Sequence, residues 1–214
     1  FQLTDAQRTV QMEIEGDLNG KHPMRRLLQG DVGSGKTVVA ALALLRALES
    51  GYNGLMMAPT EILAEQHYRN FTKWLEPLGV RVRLHTGARK DNAEPLFEKR
   101  TLVIGTHALF QTGFNLERVG LIVIDEQHKF GVTQRDRLVK KGHYPHLLVM
   151  TATPIPRTLG LTLYGDLDSS VIDEMPAGRG EVRTHIRTSE RWPKILDFLK
   201  TELASGQQAF VVFP

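Results

Sequence analysis

Apolar and polar positions along this chain form short blocks that predict strands, separated by longer blocks of helical period. Strands are predicted at 26–28, 54–58, 80–84, 102–105, 121–124, 147–150 and 169–172, and helices at 37–50, 61–78, 133–140 and 157–164. The run LIVI at 121–124 is apolar at every position, which is typical of strands covered on both faces by helices. The pattern predicts an α/β fold with a doubly wound, mostly parallel sheet and helices on both faces.

The pattern changes near residue 174, where EMPAGRGE combines proline, glycine and charge and predicts a linker at 174–181. A strand at 182–186, a helix at 190–203 with Ser189 as its N-cap and a strand at 208–213 are predicted after it. Because these elements do not make a complete domain, we expect a fragment with a first domain at 1–180 and the truncated start of a second at 181–214.

Composition narrows the class of protein only slightly. Of 214 residues, 41% are hydrophobic and 24% are charged, as in ordinary globular proteins. The net charge of +3 permits a polyanionic partner without requiring one. The absence of cysteine excludes disulfides and thiolate metal sites. Apolar runs are too short to cross a bilayer and no signal peptide is recognised, so we expect a cytoplasmic protein without a membrane partner.

The strongest chemical signal is GDVGSGKT, which fits the phosphate-loop pattern G-x-x-x-x-G-K-[ST] and lies between a predicted strand and a predicted helix. Its glycines let successive backbone N–H groups point at phosphate oxygens. Lys36 is expected to reach the β- and γ-phosphates, and the Thr37 hydroxyl to bind Mg²⁺. The alternative is a glycine-rich turn with an incidental lysine. The predicted nucleotide-binding residues are Gly30, Asp31, Val32, Gly33, Ser34, Gly35, Lys36 and Thr37.

Two carboxylates, Asp125 and Glu126, end the predicted strand at 121–124. Ligands of open α/β sheets bind outside the carboxyl ends of the strands, so this pair is expected beside the phosphate loop. Asp125 suits an Mg²⁺ held through water, and Glu126 suits a base that orients the attacking water. The alternative is a pair of acids at a helix N-terminus. With Lys36, these carboxylates are the predicted catalytic residues of an ATP hydrolase that uses Mg²⁺.

Six ordered motifs resemble those of superfamily 2 helicases: FQLTDAQ, GDVGSGKT, APTEILAEQH, GTHALFQ, DEQHKFGVTQR and TATPIPRTLGLTLYGDLD. The closest resemblance is to the RecG family of bacterial ATP-dependent DNA helicases, which reverse replication forks and migrate branches. Transcription-repair coupling translocases are the alternative, although their acid motif usually reads DEEH and their LTLYGDLD segment differs. Primosomal helicases are more distant.

The resemblance implies a RecA-like P-loop NTPase domain that uses ATP and Mg²⁺ and acts, as a monomer, on forks and Holliday junctions. In that family a second motor domain supplies the arginines that complete hydrolysis, and here they would lie beyond residue 214. We therefore expect the isolated chain to hydrolyse ATP very slowly. The segment 87–100 is shorter than in the family, which affects the expected geometry of DNA contacts there.

The resemblance also assigns site residues outside the phosphate loop. Gln7 would contact the adenine edge, and Thr4 and Gln7 would also form a helix capping box. Residues of two motifs would couple the γ-phosphate site to DNA, namely Gln127, His128, Thr151 and Thr153. The strand at 147–150, which precedes the two threonines, would neighbour the acid strand.

DNA-backbone contacts would come from three strand ends that carry small polar residues: Pro59 and Thr60, Thr86 and Gly87, and Gly105, Thr106 and His107. Ordinary turns and a plain N-cap at Thr60 are the alternatives. His107, taken alone, favours a packed or capping histidine.

Two other functional classes remain as competitors. The first is a P-loop ATPase of another kind: a transporter ATPase would need an LSGGQ-like signature, which the sequence lacks, and a small-molecule kinase would usually carry a lid with arginines. A non-catalytic nucleic-acid-binding module would not need the intact GSGKT and Asp125–Glu126. Both observations favour the helicase interpretation.

Overall fold

The computed structural model describes residues 2–88, 100–110, 114, 116–125, 144–153, 167–174 and 183–212. Contacts divide the chain into two compact units, Phe1–Ala177 and Gly178–Pro214. The helices predicted at 133–140 and 157–164 lie outside the described residues. In the described part of the chain, no helix is both long and apolar enough to cross a membrane.

The first unit is built on a seven-stranded sheet with the order β3-β4-β2-β5-β6-β1-β7. All the strand pairings in this sheet are parallel. The strands are β1 (Arg25–Gly30), β2 (Asn53–Met57), β3 (Arg81–His85), β4 (Thr101–Gly105), β5 (Val119–Asp125), β6 (His146–Thr151) and β7 (Asp168–Ile172). All seven predicted strands are present within one or two residues of their expected ends, and the parallel sheet is confirmed.

Alternate residues of each central strand enter two separate apolar clusters, one on each face of the sheet. In β6, Leu148 and Met150 face the first cluster, whereas Leu147 and Val149 face the second. Burial on both faces explains why the central strands are apolar at consecutive positions. The helices α1 (Asp5–Leu18), α2 (Lys36–Glu49) and α3 (Glu61–Leu75) contribute to the first cluster.

The ends of α2 and α3 follow from single residues. After α2, Ser50 is the C-cap and Gly51 adopts a φ of 83°, so Gly51 ends the helix as predicted. α3 ends at Leu75 instead of residue 78, and Glu76–Leu78 forms a 3₁₀ turn. Proline at 77 has no backbone N–H, so the α-helical ladder does not continue through this turn.

α1 is fixed to the sheet by a cluster around Arg26 of β1. The Arg26 guanidinium donates to the Asp17 carboxylate at 2.7 Å and to the Glu13 carboxylate at 3.1 Å. It also donates to the Ser170 hydroxyl of β7 at 2.8 Å, and that hydroxyl donates to Glu13. Because Arg26 is buried and donates to three side chains, this network fixes α1 across two strands.

The amino edge of the sheet carries a half-buried histidine, His146, at the start of β6. Its Nδ1 accepts a hydrogen bond from the Met24 N–H at 2.9 Å, which requires an unprotonated Nδ1. Burial lowers the pKa of His146, while the nearby Asp17 charge acts in the opposite direction. The neutral ring therefore suits this place in the fold.

In the second unit, the described residues contain α4 (Trp192–Ala204), preceded by a 3₁₀ turn at Ser189–Arg191. The predicted helix is present, but its N-cap is Arg191 and not Ser189. The predicted strands at 182–186 and 208–213 are wrong for the described residues 183–186 and 208–212, which form neither helix nor strand. An apolar run becomes a strand only when a neighbouring strand accepts its hydrogen bonds. No such neighbour is present among the described residues of this unit.

Candidate functional site

The predicted phosphate loop lies between β1 and α2, at the carboxyl edge of the sheet. β1 ends at Gly30, and Gly35 is the N-cap of α2. Gly33 and Gly35 have φ angles of 82° and 90°, which residues with a Cβ rarely adopt. This backbone curls the loop in front of the α2 N-terminus, where helix N–H groups and the helix dipole favour an anion.

Lys36 is directed back across this loop. Its Nζ donates to the Gly30 carbonyl at 2.6 Å and to the Asp31 carbonyl at 3.0 Å. The ammonium group is thus held within the loop, where it adds positive charge to the α2 N-terminus. The α2 N-terminus and the Lys36 ammonium group both favour the binding of a negatively charged phosphate.

Gln7 of α1 supports the loop from behind. Its Nε2 donates to the Ser34 carbonyl at 2.7 Å, and its Oε1 accepts from the Thr4 N–H at 3.0 Å. The Thr4 hydroxyl in turn accepts from the Gln7 N–H, which confirms the predicted capping box. Gln7 is 1% exposed, so its amide is committed to the loop and the helix start. The predicted contact of Gln7 with adenine stays a prediction.

Two glycines permit this close packing. A Cβ added at Gly35 would stand 2.2 Å from the Gln7 Nε2. A Cβ added at Gly30 would stand 2.6 Å from the Ser34 hydroxyl, against β7. The Ser34 hydroxyl is buried and has no hydrogen-bond partner among the described residues. The loop is therefore fixed by neighbours that leave no room for side chains at these positions.

The acid strand β5 ends at the same edge of the sheet. β6 lies between β5 and β1, so Asp125 is two strand spacings, roughly 10 Å, from the row of Gly30. Asp125 pairs with Met150, and Thr151 of β6 pairs with Gln29 of β1. The predicted neighbour relation between the acid strand and the 147–150 strand is confirmed, and Thr151 ends the strand between the two predicted halves of the nucleotide site.

The two predicted coupling threonines contact each other. The Thr151 and Thr153 hydroxyls are 2.9 Å apart, and the Thr153 N–H donates to the Thr151 hydroxyl at 3.2 Å. Thr151 is buried. Their predicted partners Gln127 and His128, and the predicted base Glu126, lie outside the described residues, so these roles stay predictions.

Asp125 is held by a histidine for which no role is predicted from the sequence. His67 of α3 places its Nε2 2.7 Å from the Asp125 Oδ2, and both side chains are largely buried. His67 belongs to the quoted APTEILAEQH motif, and its spacing from Ala64 and Phe71 puts it on the buried face of α3. That spacing reveals burial, but nothing in the sequence connects this face with a carboxylate 58 positions away.

The three predicted DNA-contacting strand ends are adjacent, because β3, β4 and β2 are consecutive in the sheet. We call them the strand-end surface, which comprises Pro59, Thr60, Thr86, Gly87, Gly105, Thr106 and His107. β2 also pairs with β5, so this surface continues the edge that carries Asp125. The fold therefore brings the predicted DNA residues and the predicted ATP residues to one edge of one sheet.

Thr60 and its neighbour Glu61 link two parts of this surface. The exposed Thr60 is the N-cap of α3 and accepts from the Leu63 N–H at 3.3 Å, so the N-cap is confirmed, while the DNA contact of Thr60 stays a prediction. Glu61 accepts from the Ala88 N–H at 3.1 Å, so it joins the end of β2 to the end of β3. A Cβ added at Gly87 would stand 3.1 Å from the Glu61 carboxylate.

The end of β4 is more closely packed. A Cβ added at Gly105 would stand 2.1 Å from the His85 carbonyl, so Gly105 serves close packing with β3. The Thr106 hydroxyl is buried and has no partner among the described residues. His107 is exposed at the start of the 3₁₀ turn His107–Phe110, so it is not a packed histidine, and its capping role stays a prediction.

The donor chemistry at this edge fits ATP with Mg²⁺. The loop offers backbone N–H groups and Lys36 to phosphates, and Thr37 and Asp125 offer the oxygen ligands that Mg²⁺ prefers. Among the described residues, no cluster of three or more histidine, cysteine, aspartate or glutamate side chains could hold a metal ion by itself. An Mg²⁺ at this edge would therefore depend on phosphate oxygens and water for most of its ligands.

Comparisons with known proteins agree with this geometry. The profile of the DEAD/DEAH box helicase family matches residues 4–161. The chain is 50% identical to the ATP-dependent DNA helicase RecG of Synechocystis sp., with coverage of 100% of this chain and 26% of that protein. It is 53% identical to the protein of the same name from Acidithiobacillus ferridurans, with coverage of 100% and 32%.

A solved structure described as RecG bound to a three-way DNA junction is similar over 100% of this chain and 30% of that chain. The identity is 42% and the TM-score is 0.82. The chain thus spans about a quarter to a third of the length of these curated relatives.

Proposed function

The chain belongs to the DEAD/DEAH box helicase family, and we propose that it is the ATP-binding motor domain of an ATP-dependent DNA helicase that acts on branched DNA. Fork reversal and branch migration of Holliday junctions, in recombination and repair, are the proposed activities of the whole protein. The observation that carries the proposal is a phosphate loop supported by Gln7 at the same sheet edge as Asp125 and the strand-end surface.

We propose the following roles for the residues of the nucleotide site. The loop N–H groups and Lys36 bind the phosphates of ATP, and the Thr37 hydroxyl with Asp125, through water, holds Mg²⁺. Mg²⁺, when bound, offsets the negative charge of the phosphates. We further propose that Glu126 orients the attacking water, and that Gln127, His128, Thr151 and Thr153 transmit the state of the γ-phosphate.

The strand-end surface is the proposed contact for the DNA backbone. Its hydroxyl and N–H groups can bind phosphates without reading base sequence, which suits a protein that must move along DNA. The relative bound to a three-way DNA junction supports branched DNA as the substrate. We propose that residues 1–180 form the first motor domain, and that 181–214 leave it through a linker and begin a second motor domain that hydrolysis requires.

The test is an ATPase assay of the full-length protein with four nucleic acids, namely model forks, Holliday junctions, single-stranded DNA and duplex RNA. We expect hydrolysis to be stimulated most by forks and Holliday junctions. Lys36→Ala should abolish it, and Lys21→Ala, which changes an exposed lysine outside the site, should leave it intact. Stimulation by RNA equal to that by forks would contradict the proposed substrate.

A further inference from the structure

His67 is the one buried histidine in the described part of the chain that contacts a proposed ligand of Mg²⁺. It lies on the face of α3 that also buries Ala64, Phe71 and Leu75. The Phe71 ring meets the imidazole edge-on, with ring centroids 6.3 Å apart. The imidazole is therefore held between the helix and the end of β5, and it has little freedom to turn.

The contact with Asp125 defines the chemistry of the pair. An ionised carboxylate only accepts hydrogen bonds, so the His67 Nε2 carries the hydrogen that it donates to Oδ2. The Nδ1 atom is buried and has no partner among the described residues. Among the described residues, the hydrogen bond to the Asp125 carboxylate is thus the one polar contact that the His67 imidazole makes.

Packing alone does not account for this pair. A buried polar pair loses hydration on both partners, and apolar side chains of similar volume are often as stable or more stable in its place. The neighbours of His67 on this face of α3 are apolar, so a leucine there would continue the pattern. The advantage of histidine lies in what it does to Asp125.

A carboxylate held by one oxygen has a fixed plane, and this plane determines where its other oxygen can bind water or metal. Loss of a side chain that orients a metal ligand in this way typically costs about 10–100-fold in metal affinity or activity. α3 is a suitable support, because it starts directly after β2, and β2 pairs with β5. The same helix begins at Thr60 in the strand-end surface.

We propose that His67 is a positioning residue for the metal site, which orients the Asp125 carboxylate toward Mg²⁺ through the Nε2–Oδ2 hydrogen bond. The proposal rests on the proposed function, since it requires Mg²⁺ with ATP at this edge. His67 does not touch the nucleotide or the metal itself.

The test measures the Mg²⁺ concentration that gives half-maximal binding of a fluorescent ATP analogue to the full-length protein, starting from excess EDTA. His67→Leu should raise this midpoint about tenfold or more, as other losses of metal-ligand partners do. It should leave the affinity for metal-free nucleotide close to that of the wild type, while the melting temperature falls because the largely buried Asp125 carboxylate loses its partner. His67→Gln keeps an N–H donor at the reach of Nε2, so its midpoint should stay close to wild type.

Three further variants make the outcome decisive. His67→Asn carries the same amide on a shorter side chain that does not reach Asp125, so it should behave like His67→Leu, and it replaces that variant if leucine prevents folding. His22→Leu removes an exposed histidine and should change nothing. Lys36→Ala should lose nucleotide binding at all Mg²⁺ concentrations, which tests the proposed function separately.

A wild-type midpoint in both His67→Leu and His67→Asn would overturn the positioning role while leaving the nucleotide site in place. An equal rise in His67→Gln and His67→Asn would also overturn it, because the reach of the donor would then have no effect. Wild-type binding by Lys36→Ala would instead refute the proposed function.

Discussion

The phosphate loop and the strand-end surface lie on the same carboxyl edge of one sheet, but the rest of the molecule supports them differently. The loop is fixed from behind by the buried Gln7, whose amide joins α1 to the Ser34 carbonyl. On the strand-end surface, Thr60 caps its own helix and is exposed, and Gly87 is exposed beside Glu61. The loop is held by a buried side chain from another helix, whereas the exposed part of the strand-end surface is held mainly by hydrogen bonds within and between neighbouring strand ends.

This difference matches the two ligands that we propose. A nucleotide phosphate bound at one point benefits from a cradle formed in advance, because binding then orders few groups. A DNA backbone that must pass through the motor benefits from several weak contacts that can be exchanged. Single substitutions should therefore have large effects at the loop and small effects on the strand-end surface.

The largest effect is expected for Gly35→Ala. The new Cβ would collide with the Gln7 amide at 2.2 Å, and the φ of 90° would strain any residue other than glycine by about 1–3 kcal/mol. Nucleotide titration should show loss of measurable ATP binding. Gly51→Ala is the matched control, since its φ is 83° but nothing lies within 4 Å of its Cβ.

Gly51→Ala should thus lower the melting temperature by the backbone strain alone and leave ATP binding intact. If both variants bound ATP equally well, the support of the loop by Gln7 would be irrelevant to the nucleotide, and the contrast between the two regions would fail.

A smaller effect is expected for Gln7→Ala, which removes the hydrogen bond to Ser34 and half of the capping box. The loss should be about 1–3 kcal/mol of stability, because the buried groups it paired are left unsatisfied. ATP affinity should fall with it. Gln11→Ala, on the same helix with its amide bonded to Glu15 at the surface, should have little effect.

The affinities of Gln7→Ala for ATP and for GTP test whether Gln7 also contacts the adenine base. A glutamine that reads adenine as well as supporting the loop should lose discrimination between the two nucleotides on mutation to alanine. If both affinities fell by the same factor, Gln7 would support the loop without contacting the base.

The smallest effect is expected on the strand-end surface, for Thr106→Val. The substitution removes a buried hydroxyl that has no described partner, so stability should be unchanged or slightly higher. Fork binding, measured by fluorescence anisotropy, should weaken a few-fold if that hydroxyl binds a DNA phosphate. Thr72→Val is the matched control, because the Thr72 hydroxyl is also buried and unpartnered among the described residues but lies along α3. Equal fork affinities of the two variants would remove Thr106 from the DNA contact.

Local patterns in the sequence predicted most of this arrangement. Glycine positions, the lysine and the flanking elements identified the phosphate loop, since its sequence pattern lies within eight consecutive positions, although its support by Gln7 is a contact between distant residues. The capping box of Thr4 and Gln7 is equally local. The parallel sheet followed from uninterrupted apolar runs, whose burial on both faces the structure confirms.

Contacts between distant segments could not be predicted in the same way. The bond between His67 and Asp125 depends on how α3 crosses the sheet, and the Arg26 network joins residues up to 157 positions apart. The strands predicted after residue 181 were wrong for the described residues, because apolar runs form strands only where a partner strand is available.

Equilibrium titration of the full-length protein with a fluorescent ATP analogue in Mg²⁺ tests most directly whether ATP binds at the phosphate loop. We expect saturable binding at one site in the wild type and in Lys21→Ala, and loss of that binding in Lys36→Ala, whose Nζ lies over the loop carbonyls of Gly30 and Asp31. Binding by Lys36→Ala with wild-type affinity would contradict the assignment of this loop as the nucleotide site, because the nucleotide would then be held elsewhere.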